Sequence, residues 1–127
     1  MKPITSEWVD KAEADLATAR REIEALDKPN YDAVCFHTQQ CAEKYLKACL
    51  QEAEISFRKT HDLAELLDSA LSIDPNLEAL RPDLNSLSAF AVEYRYPGES
   101  AEIDEAREAL ERCRKVRQTI RQVLSLQ

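Results

Sequence analysis

The side chains best suited to binding chemistry lie on one strip of the segment YDAVCFHTQQCAEKYLKACL, residues 31–50. At helical spacing, His37, Gln40, Lys44 and Lys47 share a strip about 80° wide. An imidazole, an amide and two ammonium groups could line a groove that meets phosphates or the carboxylates of a partner. The same spacing suits the solvent-facing edge of a mostly buried helix, with Glu43 and Lys47 as an ordinary i,i+4 pair. Both interpretations stay open at this point.

A second candidate is His61, which follows FRKT at the predicted start of a helix. Backbone N–H groups at a helix start, together with Arg58 and Lys59, could bind an anion. The commoner arrangement is a helix start capped by Thr60 with a histidine in its first turn. We therefore favour the cap over the anion site.

A third candidate is Arg95, which VEYRYPG places between two tyrosines, one of them Tyr96, after a predicted helix end. A guanidinium flanked by phenol rings could stack on a base or bind a phosphate through two hydrogen bonds. Alternatively, Pro97 and Gly98 end the helix and the aromatic rings pack against its neighbours.

The end of the chain is basic, because no acidic residue follows Arg112. Its later cations are Arg114, Lys115, Arg117 and Arg121. They could form a nucleic-acid face, or they could suit the negative C-terminal end of a helix dipole.

The sequence contains no enzyme motif that we can identify. It has no metal-spaced His/Cys/Glu set, no glycine-rich phosphate loop and no nucleophile elbow. Only two histidines could serve as acid or base. We therefore assign no catalytic residue, metal or cofactor.

Length and composition predict a single helical domain spanning residues 1–127. The chain has one glycine among 127 residues and is rich in Ala, Leu, Glu, Arg and Lys, which leaves little material for hairpins. A net charge of −7 argues against indiscriminate binding to nucleic acid or to an anionic membrane, although a local basic groove remains compatible with it.

The four cysteines form no CxxC pair, and Cys35, Cys41 and Cys49 lie on one predicted helix. They are better interpreted as small buried hydrophobic residues than as a disulfide framework, which suggests a reducing cytoplasm. The sequence has no apolar signal core and no run of the roughly 18 to 20 apolar residues that would span a bilayer. We expect a soluble protein with no membrane partner.

Apolar periodicity and capping residues predict the helices. The predicted caps are Ser6, Asn30, Thr60, Asp74 and Ser100. The first helix carries an apolar stripe, expected to continue to Pro29, that comprises Trp8, Ala12, Leu16, Ala19, Ile23 and Leu26. Pro82 predicts a new helix start after a short turn at Pro75.

These elements predict an all-α fold, an up-and-down antiparallel bundle of four long helices plus a short helix. The second helix is the most enclosed, with a broad apolar face. That face is predicted to comprise Val34, Thr38, Cys41, Ala42, Tyr45, Leu46, Cys49 and Leu50.

Four segments, in their order along the chain, resemble the HEPN domain family: WVDKAEADLATA, YDAVCFHTQQCAEKYLKACL, KTHDLAELL and YRYPG. The family comprises small helical proteins of prokaryotes, and related domains include the end of the vertebrate protein sacsin. The likeness covers nearly the whole chain, and FHTQQCAEKYLKA and KTHDL are its most specific parts.

The resemblance implies a bundle of four or five helices, usually a homodimer. It also implies a nucleotide- or RNA-related role, often beside a minimal nucleotidyltransferase in a toxin–antitoxin-like pair. The polar positions that match the family are His37, Gln40, Glu43, Lys44, Lys47, His61, Arg95 and Tyr96.

Many HEPN toxins are metal-independent ribonucleases with an Arg-x4-6-His signature. Arg95 could stand at the arginine position, but no histidine follows it. We therefore predict a nucleotide- or RNA-binding accessory module. The alternative is an interaction module that docks a nucleotidyltransferase without a ligand, and the third possibility is a ribonuclease that uses His61 or His37 in a non-standard site.

Overall fold

The computed structural model describes residues 1–127 and contains only helices. Its elements are α1 (Pro3–Ile23), α2 (Tyr31–Glu52), α3 (Leu63–Ala70), a 3-10 helix (Pro75–Leu80), α4 (Arg81–Glu93) and α5 (Ile103–Val123). The all-α prediction is confirmed, and α3 is the short helix beside four longer ones.

Helix α2 lies at the centre of the bundle and contacts α1, α3, α4 and α5. All eight residues of its predicted apolar face are buried. Its enclosure extends beyond that face, because Gln39, Glu43 and Lys47 are buried as well. Burial of these polar groups requires internal partners, since an unpaired charge inside a protein is costly.

Contacts between helix ends fix the directions of the four long helices. Thr5, near the start of α1, donates a 2.9 Å hydrogen bond to Glu52 at the end of α2. Helix α5 runs in the same direction as α2, because the Ala101 N–H donates to Asp32 Oδ1 at 2.7 Å and Arg121 donates to the Tyr45 hydroxyl at 3.1 Å. Helices α1 and α4 run in the opposite direction.

Residues 53–62 form an extended connection that we call the return segment. It begins where Glu54 adopts a left-handed conformation, φ 58°, and the Ile55 N–H bonds to the Leu50 carbonyl at 2.9 Å. This six-to-one bond is typical of a Schellman helix end. The segment then returns along α2 until His61 lies beside Glu43, about halfway along that helix.

Three of the predicted caps are wrong. Helix α1 begins at Pro3 with Lys2 as its cap residue, and Ser6 lies within the first turn, where its N–H bonds to the Lys2 carbonyl. Proline suits a first helical position because it has no N–H to leave unpaired. Asp62 replaces Thr60 as the cap of α3.

Glu102 replaces Ser100 at the start of α5, where its N–H donates to Glu105 Oε1 at 3.0 Å. The predicted caps Asn30 and Asp74 are confirmed, and each accepts a backbone N–H bond.

The apolar stripe of α1 ends earlier than predicted. Leu26 is fully exposed, because the helix ends at Ile23 and the chain turns through Lys28, φ 47°, before α2 begins. Periodicity beyond the last helical turn no longer points a side chain at the core.

All four cysteines are buried and free. Burial raises the pKa of the Cys35 thiol to about 12, helped by the charges of Asp32 and Glu105. Burial alone raises the pKa of Cys49 to about 11. The Cys35 and Cys49 thiols are therefore protonated at neutral pH. None of the helices combines the length and apolarity needed to cross a membrane.

Candidate functional site

Two residues of the predicted polar strip bind one carboxylate on the neighbouring helix. Asp15 of α1 is nearly buried, and its Oδ1 lies 2.8 Å from His37 Nδ1. Its other oxygen accepts a hydrogen bond from Lys44 Nζ. His37 and Lys44 therefore join α1 to α2.

Lys47, a third residue of the strip, lies inside the protein. It is 6% exposed, its Nζ donates to Glu43 Oε2 at 3.0 Å, and Glu43 is 2% exposed. The other oxygen of Glu43 lies 2.9 Å from His61 Nδ1 and accepts a weaker bond from Gln39. Glu43 thus holds the return segment, through His61, against α2.

Gln40, the remaining residue of the strip, opens onto a cleft between α2 and α4. This α2–α4 cleft has a volume of about 230 Å³. Its lining consists of Phe36, Gln39, Gln40, His61, Ser88, Ala91, Val92 and Arg95. The fold therefore brings together Gln40, His61 and Arg95, three predicted residues that are far apart in the sequence.

The charges of the α2–α4 cleft favour an anion. Arg95 forms no ion pair, unlike Arg58, Arg81, Arg112 and Arg117 elsewhere in the chain. No carboxylate lines the cleft. The His61 side chain is 81% exposed although Glu43 holds its Nδ1, so its Nε2 edge remains available. The guanidinium, the imidazole and the second N–H of the Gln40 amide can together bind a phosphate. The Gln39 amide already donates to Glu43 and to the His61 carbonyl.

Apolar surface lies beside these donors. Phe36 of α2 is 46% exposed and Val92 of α4 is 58% exposed, and both line the α2–α4 cleft. Exposed aromatic rings can stack on a nucleic-acid base. The predicted residue Tyr96 is 61% exposed but is not part of the cleft lining.

Two arginines in the basic stretch of α5 bond to side chains of other helices. Arg117 donates two 2.8 Å hydrogen bonds to Glu13 of α1, and Glu13 also accepts from the Tyr45 hydroxyl. The Arg117 bonds are the largest cause of the lowered pKa of Glu13. Burial, followed by the bond to Glu13, raises the pKa of the Tyr45 phenol. Arg117 and Arg121 therefore stabilise the bundle.

Sequence reasoning missed several residues of the α2–α4 cleft, among them Phe36, Gln39, Ser88 and Val92. An exposure signal was present for Phe36, because it lies outside the apolar face of α2. The α4 residues carried no such signal, since their position depends on how α4 docks. Asp15, the partner of His37 and Lys44, was also missed.

Comparisons with known proteins identify the family of the chain and support its helical fold. The profile of the family described as HEPN domain matches residues 5–123. The crystal structure of an archaeal HEPN homologue superposes with a TM-score of 0.70 at 24% identity, covering 97% of this chain and 99% of that chain. At this identity the superposition establishes the helical fold alone. No curated protein matches the sequence.

Proposed function

Because the chain belongs to the HEPN domain family, we propose that it is a nucleotide- or RNA-binding accessory module whose α2–α4 cleft holds a phosphate group. The observation that carries this proposal is Arg95, a guanidinium without an acidic partner in a cleft without a carboxylate. His61 and Gln40 supply the other donors. Family membership supports a nucleotide- or RNA-related role in general.

Phe36 provides a second contact for the proposed nucleotide. Ligand cavities are typically about 300–1,000 Å³, so a cleft of about 230 Å³ accommodates the phosphate end of a nucleotide better than the whole. The base then lies over Phe36 at the cleft mouth, where stacking tolerates any base. Binding of this kind would show little preference for one base over another.

A homodimer is part of the proposal. Val92 and Tyr96 are exposed at and just after the end of α4, and exposed apolar residues beside a polar cleft suit a subunit contact. A second copy placed there would cover the open side of the cleft. We further propose a minimal nucleotidyltransferase as partner, in a toxin–antitoxin-like pair, and the support for it is the family resemblance alone. A cytoplasmic location is also proposed, since buried free thiols suit a reducing compartment.

Replacement of the unpaired arginine tests the binding site. We expect Arg95→Gln to weaken binding of AMP and of short single-stranded RNA by about tenfold or more, because a hydrogen bond to a charged group contributes about 1.5–3 kcal/mol. Fluorescence anisotropy or calorimetry at two salt concentrations would measure this loss. Arg114→Gln is the matched control, since Arg114 is exposed on α5 and forms no ion pair. Equal binding by wild type and Arg95→Gln would contradict the site.

A ribonuclease is the second candidate, because Arg95 and His61 line the same cleft and Glu43 orients the imidazole from behind. An imidazole oriented by a carboxylate is suited to general acid–base chemistry. Incubation of the protein with RNA distinguishes the two candidates. RNA that stays intact favours binding alone, whereas cleavage that persists through repeated purification and is lost in His61→Ala favours the enzyme.

A further inference from the structure

A second and larger pocket lies at the other end of α2. It is formed by the first turns of α1, the last turn of α2 and the return segment, and its volume is about 650 Å³. We call it the Trp8 pocket, after the indole that lines it. This volume lies within the usual range for small-molecule sites, about 300–1,000 Å³. The Trp8 pocket shares no lining residue with the α2–α4 cleft.

The Trp8 pocket is positively charged in a protein whose net charge is −7. Its lining contains the three lysines Lys2, Lys47 and Lys59 and a single carboxylate, Glu54. Lys2 pairs with Glu54 at 2.7 Å, and Lys47 pairs with Glu43 behind the wall. Lys59 is exposed and lies in no ion pair, so its charge is available to a ligand.

One wall of the Trp8 pocket is aromatic. The rings of Trp8 and Phe57 meet edge to face, with centroids 6.3 Å apart. Lys47 Nζ lies 5.4 Å from the centroid of the Trp8 ring, over its face, which is a cation–π arrangement. Ile4, 42% exposed, adds an aliphatic side chain. A flat apolar group could therefore lie beside the ammonium groups.

The indole N–H of Trp8 is also unusual. It is shielded from solvent and has no hydrogen-bond partner, whereas most buried polar atoms in proteins are paired. Packing against Phe57 and Lys47 holds the ring in this orientation even though its N–H is unpaired. The aromatic wall is thus preformed.

From these contacts we propose that the Trp8 pocket binds a small organic anion with a flat apolar body, such as an aromatic carboxylate or an aryl phosphate. The anionic group pairs with Lys59, and the ring packs on Trp8, Phe57 and Ile4. Unpaired positive charge and a preformed aromatic wall occur together here, and that combination suits such an amphipathic anion. The proposal does not depend on the function of the α2–α4 cleft.

The chain provides its own reporter for this site, because Trp8 is its single tryptophan. Tryptophan-selective fluorescence would be recorded during titration with phenylacetate, with phenyl phosphate and with neutral 2-phenylethanol. We expect saturable changes with an anion and about tenfold weaker binding of the alcohol, because the alcohol lacks a charge-assisted hydrogen bond. Saturable binding of either anion supports the proposal, and the tighter one identifies the preferred anionic group.

Two variants make the experiment specific. Lys59→Gln should weaken binding of the preferred anion by about tenfold. The matched control Lys115→Gln, an exposed lysine of α5 in no ion pair, should leave binding unchanged. The proposal is overturned if neither anion binds, if the alcohol binds as tightly, or if Lys59→Gln binds like wild type.

Discussion

At the scale of single residues, Glu43 is a buried carboxylate with three side-chain partners. Its two oxygens are shared among Lys47, His61 and Gln39. A buried ion pair contributes little net stability compared with a hydrophobic pair of similar size. Loss of one partner, however, leaves the other charge buried and unpaired, which destabilises the fold. The two kinds of substitution should therefore have different consequences.

A double-mutant cycle on Glu43 and Lys47 tests this difference. Glu43→Leu should destabilise the fold by about 3–5 kcal/mol, because Lys47 would remain buried without a counter-charge. Adding Lys47→Met should recover a large part of that loss, since no buried charge is left unpaired. Urea unfolding of the wild type, both single variants and the double variant measures the free energies of unfolding. A double variant as unstable as the sum of the singles would show that the two charges do not depend on each other.

The sequence revealed which residues of α2 are polar but not where their side chains go. Helical spacing correctly placed His37, Gln40, Lys44 and Lys47 along α2. His37 and Lys44 bond to Asp15 of α1, which is 29 residues from Lys44 in the sequence. Lys47 and Gln40 instead bond to Glu43 and Gln39 within α2. The four side chains of the predicted strip therefore lie in three separate environments. Spacing within a helix carries no information about these distant groups.

At the scale of elements, two helices end in a left-handed residue that is not glycine. In α5 this residue is Ser125, φ 60°, where the Leu126 N–H bonds to the Arg121 carbonyl at 2.7 Å. In α2 it is Glu54, whose side chain pairs with Lys2. A left-handed conformation is unfavourable for residues with a Cβ and is readily adopted by glycine.

Ser125→Gly should therefore stabilise the protein by about 0.5–1 kcal/mol, because it relieves the backbone strain at this helix end. Ser125 is exposed and its side chain makes no hydrogen bond, so little else is lost. Thermal unfolding should show a higher melting temperature. Ser125→Ala keeps the Cβ and is the control, and an equal rise in that variant would refute the backbone explanation.

The sequence predicted the existence of the helices better than their ends. Apolar periodicity over α1, α2 and α5 extends for many turns, and tertiary packing preserves it. A helix end depends on a few competing hydrogen bonds, so Asp62 could replace Thr60 two residues away. The α2–α4 cleft was less predictable still, since it exists only after α4 docks against α2.

At the scale of the whole molecule, Glu13 connects the first, second and last long helices. Arg117 lowers its pKa from the ordinary value of 4.5 through two hydrogen bonds. A carboxyl with a lowered pKa stabilises the folded state fully above its unfolded pKa. That contribution is lost as pH falls from about 4.5 through the lower folded value.

Glu13→Gln should consequently be less stable than wild type at neutral pH, and its stability should fall less steeply below about pH 4.5. Urea midpoints measured across the acidic range would show the two curves converging. Glu111→Gln is the control, because Glu111 is exposed on α5 and forms no ion pair. A constant gap between wild type and Glu13→Gln at all pH values would exclude ionisation of Glu13 as the cause.

The bond between Glu13 and Arg117 also bears on how long the native state survives. It joins residues 104 positions apart, so it forms only when the last helix has reached the first. Contacts that are absent from the folding transition state govern the unfolding rate and leave the folding rate nearly unchanged. In stopped-flow experiments, Glu13→Gln should accelerate unfolding while refolding proceeds almost as in wild type. This result would show that the release of α5 from α1 sets the lifetime of the folded protein.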